Sequence, residues 1–252
     1  GSSITINGTD PNLCIYIKHN ASAAVFGSLI FTGESSHTIN SFDTYSITFK
    51  EGSSLVQSCP GHAFSNTGIN NAVVFEKGST FQVNHTGALD PFAMSEPSSK
   101  VKFERGSNIV FNSSNSLALR MNGRNYSNLI VGNNCNIDVQ ENFASNIDID
   151  NIVINTGAIL SINNLTSASQ PSLNLKGNIL VNGTLRFQQN EHNKINLNFI
   201  GDTIQSISGT GIIDFNTGIK TLHISNDFKL NCDIAAMCPV VHHNGNINTN
   251  GY

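Results

Sequence analysis

Ile47-Thr48-Phe49-Lys50-Glu51-Gly52, Val73-Val74-Phe75-Glu76-Lys77-Gly78 and Val101-Lys102-Phe103-Glu104-Arg105-Gly106 are three versions of one phrase. Each is a short β-branched and aromatic run, then two charged residues, then glycine. Glycine relieves the steric penalty of positive φ, so it marks a corner where one strand ends and the next begins. Working outward, glycines recur at 27, 52, 78, 106, 132, 157, 183 and 209, at intervals of 25 to 28 residues. Self-similarity at that period is the mark of a solenoid, in which a coil buries its apolar face only against its neighbours.

The flanking residues extend the pattern. Three residues past the corner stand Ile30, Leu55, Phe81, Ile109, Cys135, Leu160 and Ile212; three before it stand Phe49, Phe75, Phe103, Leu129 and Ile154. Alternation at period two puts each column on one face, and both columns are predicted to point inward. A third apolar patch falls midway through each coil, at Ile39, Phe64, Phe92, Phe143, Leu173, Leu197 and Leu222 among others. Around Gly183 the register slips by one, because Leu185 aligns only if Asn182 takes the corner, and asparagine is the other residue that tolerates the left-handed region.

The predicted fold is all-β: a parallel β-helix, or β-solenoid, with three strands per coil and coils of about 25–28 residues. It is expected over residues 1–231, with 232–252 an end segment, a cap or the start of a following region. About nine coils at ~4.8 Å spacing give a rod on the order of 40 Å. Across coils, Lys50 with Glu76 and Glu51 with Lys77 are expected to form structural ion pairs.

Only 12% of residues are charged, the net charge is −4, and no Lys/Arg-rich run occurs. Nucleic acid is therefore not an expected partner, since phosphate binding needs a basic footprint. No stretch reaches the ~18 uninterrupted apolar residues of a membrane span, and Gly1-Ser2-Ser3 reads as a cloning scar on a fragment. Five cysteines, at 14, 59, 135, 232 and 238, contain no C-x₂-C pair, so zinc is not expected. Cys232 and Cys238 are either a disulfide closing a short loop or two free thiols. Cys135, placed between Ile109 and Leu160 in the inward column, is expected to be a buried free thiol.

The run Asn198-Phe199-Ile200-Gly201-Asp202-Thr203-Ile204-Gln205-Ser206-Ile207-Ser208-Gly209-Thr210-Gly211, with Phe215-Asn216, resembles repeats of large secreted surface proteins of Bacteroidetes. Val74 to Phe81 and Gly123-Arg124-Asn125-Tyr126-Ser127-Asn128-Leu129 look like the same group. The resemblance implies an exported, cell-surface or adhesin-like protein on a right-handed parallel β-helix, and a segment of something longer. Asp202-Thr203-Ile204 also resembles the O-glycosylation acceptor of those bacteria.

The same architecture hosts polysaccharide lyases and glycoside hydrolases, which need calcium-binding acids with a basic residue, or paired carboxylates. The acids that gather in the sequence are Asp138, Glu141, Asp148 and Asp150. Because Ile147 and Ile149 alternate with them, Asp148 and Asp150 share one outward face, wet or holding calcium; no neighbouring coil offers an obvious lysine or arginine partner. The proline-bounded stretch Asp90-Pro91-Phe92-Ala93-Met94-Ser95-Glu96-Pro97 lengthens its coil to 28 residues, and Asp90 and Glu96 make it the expected contact loop. The eight histidines share no coil position. There is no nucleotide motif, no tryptophan and few tyrosines, hence no aromatic platform for sugar stacking. The function expected is a non-enzymatic extracellular scaffold or adhesin segment binding polysaccharide or cell-surface glycans weakly along one wall. The alternative is a polysaccharide-active lyase or hydrolase. Neither catalytic residues nor a resident cofactor can be assigned.

Overall fold

The structure, a computed structural model, describes residues 2–9, 14–64, 69–85, 92, 98–113, 116–165, 170–187, 193–215, 218–234 and 238–251. They form a parallel β-solenoid of about eight turns without helix. Three walls follow one another around each coil. The first holds Ser3–Asn7, Ser28–Thr32, Ser54–Ser58, Thr80–Val83 and Asn108–Phe111, and it runs on through Asn125–Val131 and Ile147–Ile154. A second wall holds Ala23–Val25, Ile47–Phe49, Val73–Phe75 and Val101–Phe103. On the third lie Cys14–Ile17 and Thr38–Ser41 with Phe64 bridged to Ile39; in the later coils it is built from Ser116–Ala118, Asn136–Glu141, Ile159–Asn164, Thr184–Phe187 and Ile212–Asp214. Parallel pairing extends past residue 231, with Val240–His242 on Leu222–Ile224 and Ile247–Asn248 on Phe228–Lys229.

The glycine repeat keeps its period along the chain but not its place on the coil. Asn108 pairs with Asn128, Ile109 with Leu129 and Phe111 with Val131, so this coil advances by only 20 residues. Gly52, Gly78 and Gly106 precede the first wall, whereas Gly132 and Gly157 follow it. Every predicted column therefore moves on by one wall after Gly106. Leu129 and Ile154 continue Ile109 on the first wall rather than Phe103 on the second. Leu160 lies on the third wall against Ile137 and Leu185. Leu173, Leu197 and Leu222 stand on the second wall, in register with one another. Cys135, at the corner entering the third wall, is not a neighbour of Ile109. Two column members were also off by one: Leu29 and Phe31 point inward instead of Ile30, and Ile213, 3% exposed, does so instead of Ile212, which is 65% exposed.

Inside, like stacks on like. Phe49 and Phe75 lie face to face at 4.4 Å and 5°, Phe75 and Phe103 at 5.2 Å and 23°, and Tyr126 continues the series beside Phe103. The same column then passes to Ile149, Leu175, Phe199 and Ile224. Each such side chain contributes about 1.5–3 kcal/mol by burial, and each aromatic pair about 0.5–1.5 kcal/mol more. Of the expected cross-coil ion pairs, Lys50–Glu76 closes at 2.5 Å. Glu51 and Lys77 instead lay their aliphatic stems over the glycines of the following coils, Gly78 and Gly106.

Gly106 has φ +84° and Gly52 φ +76°, as a left-handed corner requires. At Gly132 the requirement is close approach: a Cβ there would overlap Asn112 Oδ1 and lie 2.8 Å from the Phe111 carbonyl oxygen. The slip near Gly183 is real, since Thr184 pairs with Ile159 and Leu185 with Leu160. Asn182, however, is not left-handed; among the described residues the non-glycine positions with positive φ are Asn20, Tyr45, Asn71, Asn134 and Asn250.

Two measurements check this packing. Gly132→Ala should lower the unfolding free energy more than Gly52→Ala, because a backbone carbonyl must yield at the first site, whereas nothing lies within 4 Å at the second and only the φ cost of about 1–3 kcal/mol remains. Equal losses by denaturant titration would refute the close-approach reading. Cys135 is fully buried and free, with burial pushing its thiol pKa up, so a thiol reagent should label it far more slowly in native protein than in denaturant.

Candidate functional site

The acids singled out in the sequence are distributed over different surfaces. Asp148 and Asp150 do point outward between the buried Ile147 and Ile149. Asp148 accepts a hydrogen bond from Asn174 Nδ2 at 2.8 Å and lies 3.4 Å from Lys176 Nζ, a cationic partner one coil on that the sequence reading did not find. Asp150 accepts from the Ser127 hydroxyl at 2.9 Å. Asp138 stands on the third wall with Gln140 and Asn163. Glu141 turns inward and receives the backbone N–H groups of Met121 and Asn122 at 2.8–2.9 Å. Among the described residues no three His, Cys, Asp or Glu side chains converge as a metal site. Asp90 and Glu96 lie outside the described residues. Cys232 and Cys238 are free thiols.

Outward positions carry amide ladders. On the first wall Asn151 Nδ2 donates to Asn128 Oδ1 at 2.7 Å and Asn128 Nδ2 to Asn108 Oδ1 at 3.0 Å. Asn151 Oδ1 then accepts the Asn178 N–H, and Asn178 Oδ1 the Ser206 N–H. The second wall has a parallel series, Asp148, Asn174 and Asn198, followed in register by His223, which stacks on His243 at 5.7 Å.

One place departs from this regularity. Val101–Phe103 pairs with Val73–Phe75 on one side and ends its sheet on the other. The next coil instead brings Gly123 and Arg124 beside that edge before Asn125–Val131 begins. A cleft of about 320 Å³ opens there, with Asn71, Ser99, Lys102, Arg124 and Asn125 among its polar lining and Phe92, Phe103 and Tyr126 among its apolar lining. Arg124 precedes Asn125, whose register partner is Asp148, so it takes the inward position that Ile147 holds one coil later. It is 4% exposed, its guanidinium rests 4.9 Å from the Phe92 ring centroid, and Nη1 donates to the Arg120 carbonyl at 3.3 Å. The same carbonyl accepts the Tyr126 hydroxyl at 2.7 Å.

Lys102 sits at the rim. Its ammonium donates to the Tyr45 hydroxyl at 3.1 Å and lies 3.4 Å from Glu104, and the Tyr45 contact foremost raises its pKa. Just before the strand, Lys100 is wholly buried, and desolvation pulls its pKa down to about 8. The described lining carries guanidinium, ammonium, amide and hydroxyl groups and no carboxylate, an arrangement suited to holding a polar or anionic ligand.

Comparison with family models, curated proteins and solved structures finds no match to this chain. Function is therefore argued from the cleft and the walls. The sequence pointed to this neighbourhood through the long coil at 78–106, but it missed Arg124, Lys102 and Asn71. A charged residue in an inward column becomes visible only when the column is known, and here the column had moved by one wall.

Lys100 makes a pH prediction. A lysine whose folded pKa is depressed binds fewer protons folded than unfolded between about 8 and 10.5, so its contribution to stability grows as pH rises through that window and is lost as pH falls through about 8. Thermal unfolding from pH 7 to 10.5 should show this rise in the native protein and a flatter profile in Lys100→Met.

Proposed function

We propose that this chain is a non-enzymatic extracellular scaffold or adhesin segment of a longer surface protein, binding polysaccharide or cell-surface glycans. The observation that carries the reading is the pair of outward amide ladders, Asn108–Asn128–Asn151 on one wall and Asp148–Asn174–Asn198 on the next. Side chains tied coil to coil lose little further freedom on binding, and they present amide groups at the strand spacing of about 4.8 Å, a surface that meets sugar hydroxyls many times over but shallowly. Asp148 and Asp150 belong to this surface, and their contacts to Asn174, Lys176 and Ser127 make them part of its framework. The resemblance of residues 198–211 to secreted surface repeats supports an exported protein.

A glycan array run together with a depolymerisation screen on neutral and acidic polysaccharides tests the reading. Weak binding without release of reducing ends or unsaturated products is the expected outcome. Turnover of any polysaccharide would transfer the chain to the lyases or hydrolases.

A further inference from the structure

We propose that the cleft beside Val101–Phe103 binds a carboxylated sugar residue, its carboxylate held by Arg124 and Lys102. The inference rests on the glycan-binding part of the reading above and gives one site a chemical class.

Arg124 breaks the rule that the rest of the column obeys. Its counterpart in the following coil is Ile147, and an apolar side chain would fill that position without the desolvation cost of a guanidinium. An arginine in such a place brings a planar fork of five N–H donors that matches a carboxylate in two-point fashion. Phe92 beneath the guanidinium fixes its plane by cation–π contact.

The surroundings fit the same ligand. Lys102 supplies a second cation on the rim, and no carboxylate lies among the described lining residues to compete for either. Asn71, Ser99 and Asn125 offer amide and hydroxyl groups of the kind that read sugar hydroxyls, while Phe103 and Tyr126 give the apolar part of the lining. A volume of about 320 Å³ stands at the small end of ligand sites, which suits one or two sugar rings rather than a peptide helix or a long chain. The cleft also departs from the repeat, as a specific site on a solenoid must: every other wall position offers the same shallow surface to its neighbours.

The test is calorimetric titration of the intact chain, at low salt, with an oligogalacturonate and with its methyl ester, which differ only in the carboxylate. The acid should bind at least about tenfold more tightly, a difference of about 1.4 kcal/mol. Raising the salt should narrow the gap. Arg124→Gln should remove the preference for the acid while leaving the weak binding of the ester unchanged. Because Arg124 is buried, Lys102→Gln on the rim is the safer variant, and it should weaken the acid several-fold at an unaltered melting temperature. Equal binding of acid and ester, or no effect of Lys102→Gln, overturns the proposal; so does a sulfated neutral oligosaccharide that binds as tightly as the uronate. Loss of the acid preference with glycan binding retained on the array sinks this inference alone. Cleavage of the oligogalacturonate with the preference intact sinks the non-enzymatic reading and leaves the site standing.

Discussion

Backbone hydrogen bonding between successive coils is the constraint on which everything else in this molecule depends. In a parallel stack the N–H and C=O groups of each strand are satisfied by the coils above and below, so a residue can sit only where its register partner allows. Inward positions become columns of like side chains, as from Phe49 through Phe75 and Phe103 to Tyr126. Outward positions become ladders in which one amide feeds the next. Corners must let two backbones approach, which is why Gly132 lies too close to Phe111 and Asn112 for any side chain.

The same constraint governs the acids. A carboxylate in a solenoid of this kind is either outward, where an amide or cation of the next coil meets it, or inward, where it must find backbone donors. Asp148 with Asn174 and Lys176 is the first case, and Glu141 beneath the N–H groups of Met121 and Asn122 the second. Glu141 acts there much as a capping residue does, satisfying donors that the change of coil length would otherwise leave without a strand partner. Local proximity in the sequence thus says little about convergence, since residues 138, 141, 148 and 150 are dealt out to different walls and to opposite faces.

Where register fails, a site becomes possible. The coil from Asn108 to Asn128 is six residues shorter than the 26 of its neighbours, and the second wall cannot pair across it. The unpaired edge of Val101–Phe103, the buried Lys100 and the arginine in an apolar column all occur within this one irregularity. A repeat stabilises by uniformity, and a ligand site needs particular groups in particular places, so the two are found at different points of the chain.

Fold class, coil period and the three-walled plan were legible in the sequence, because period-two alternation and recurring corner glycines follow directly from strand geometry and backbone sterics. The buried state of Cys135 was legible for the same reason, although its column was misplaced. Phase was not. A glycine-flanked apolar strand looks the same whichever corner it follows, so the interval from Gly106 to Gly132 reads as one more coil when it in fact carries the glycine from one corner to the next. Only the pairing of Ile109 with Leu129 decides that, and with it which wall Leu160 and Leu173 face and that Arg124 stands where Ile147 stands one coil on. Local sequence dictates which residues turn inward from their immediate neighbours, whereas the choice of partner coil is made by long-range hydrogen bonding that no local pattern encodes.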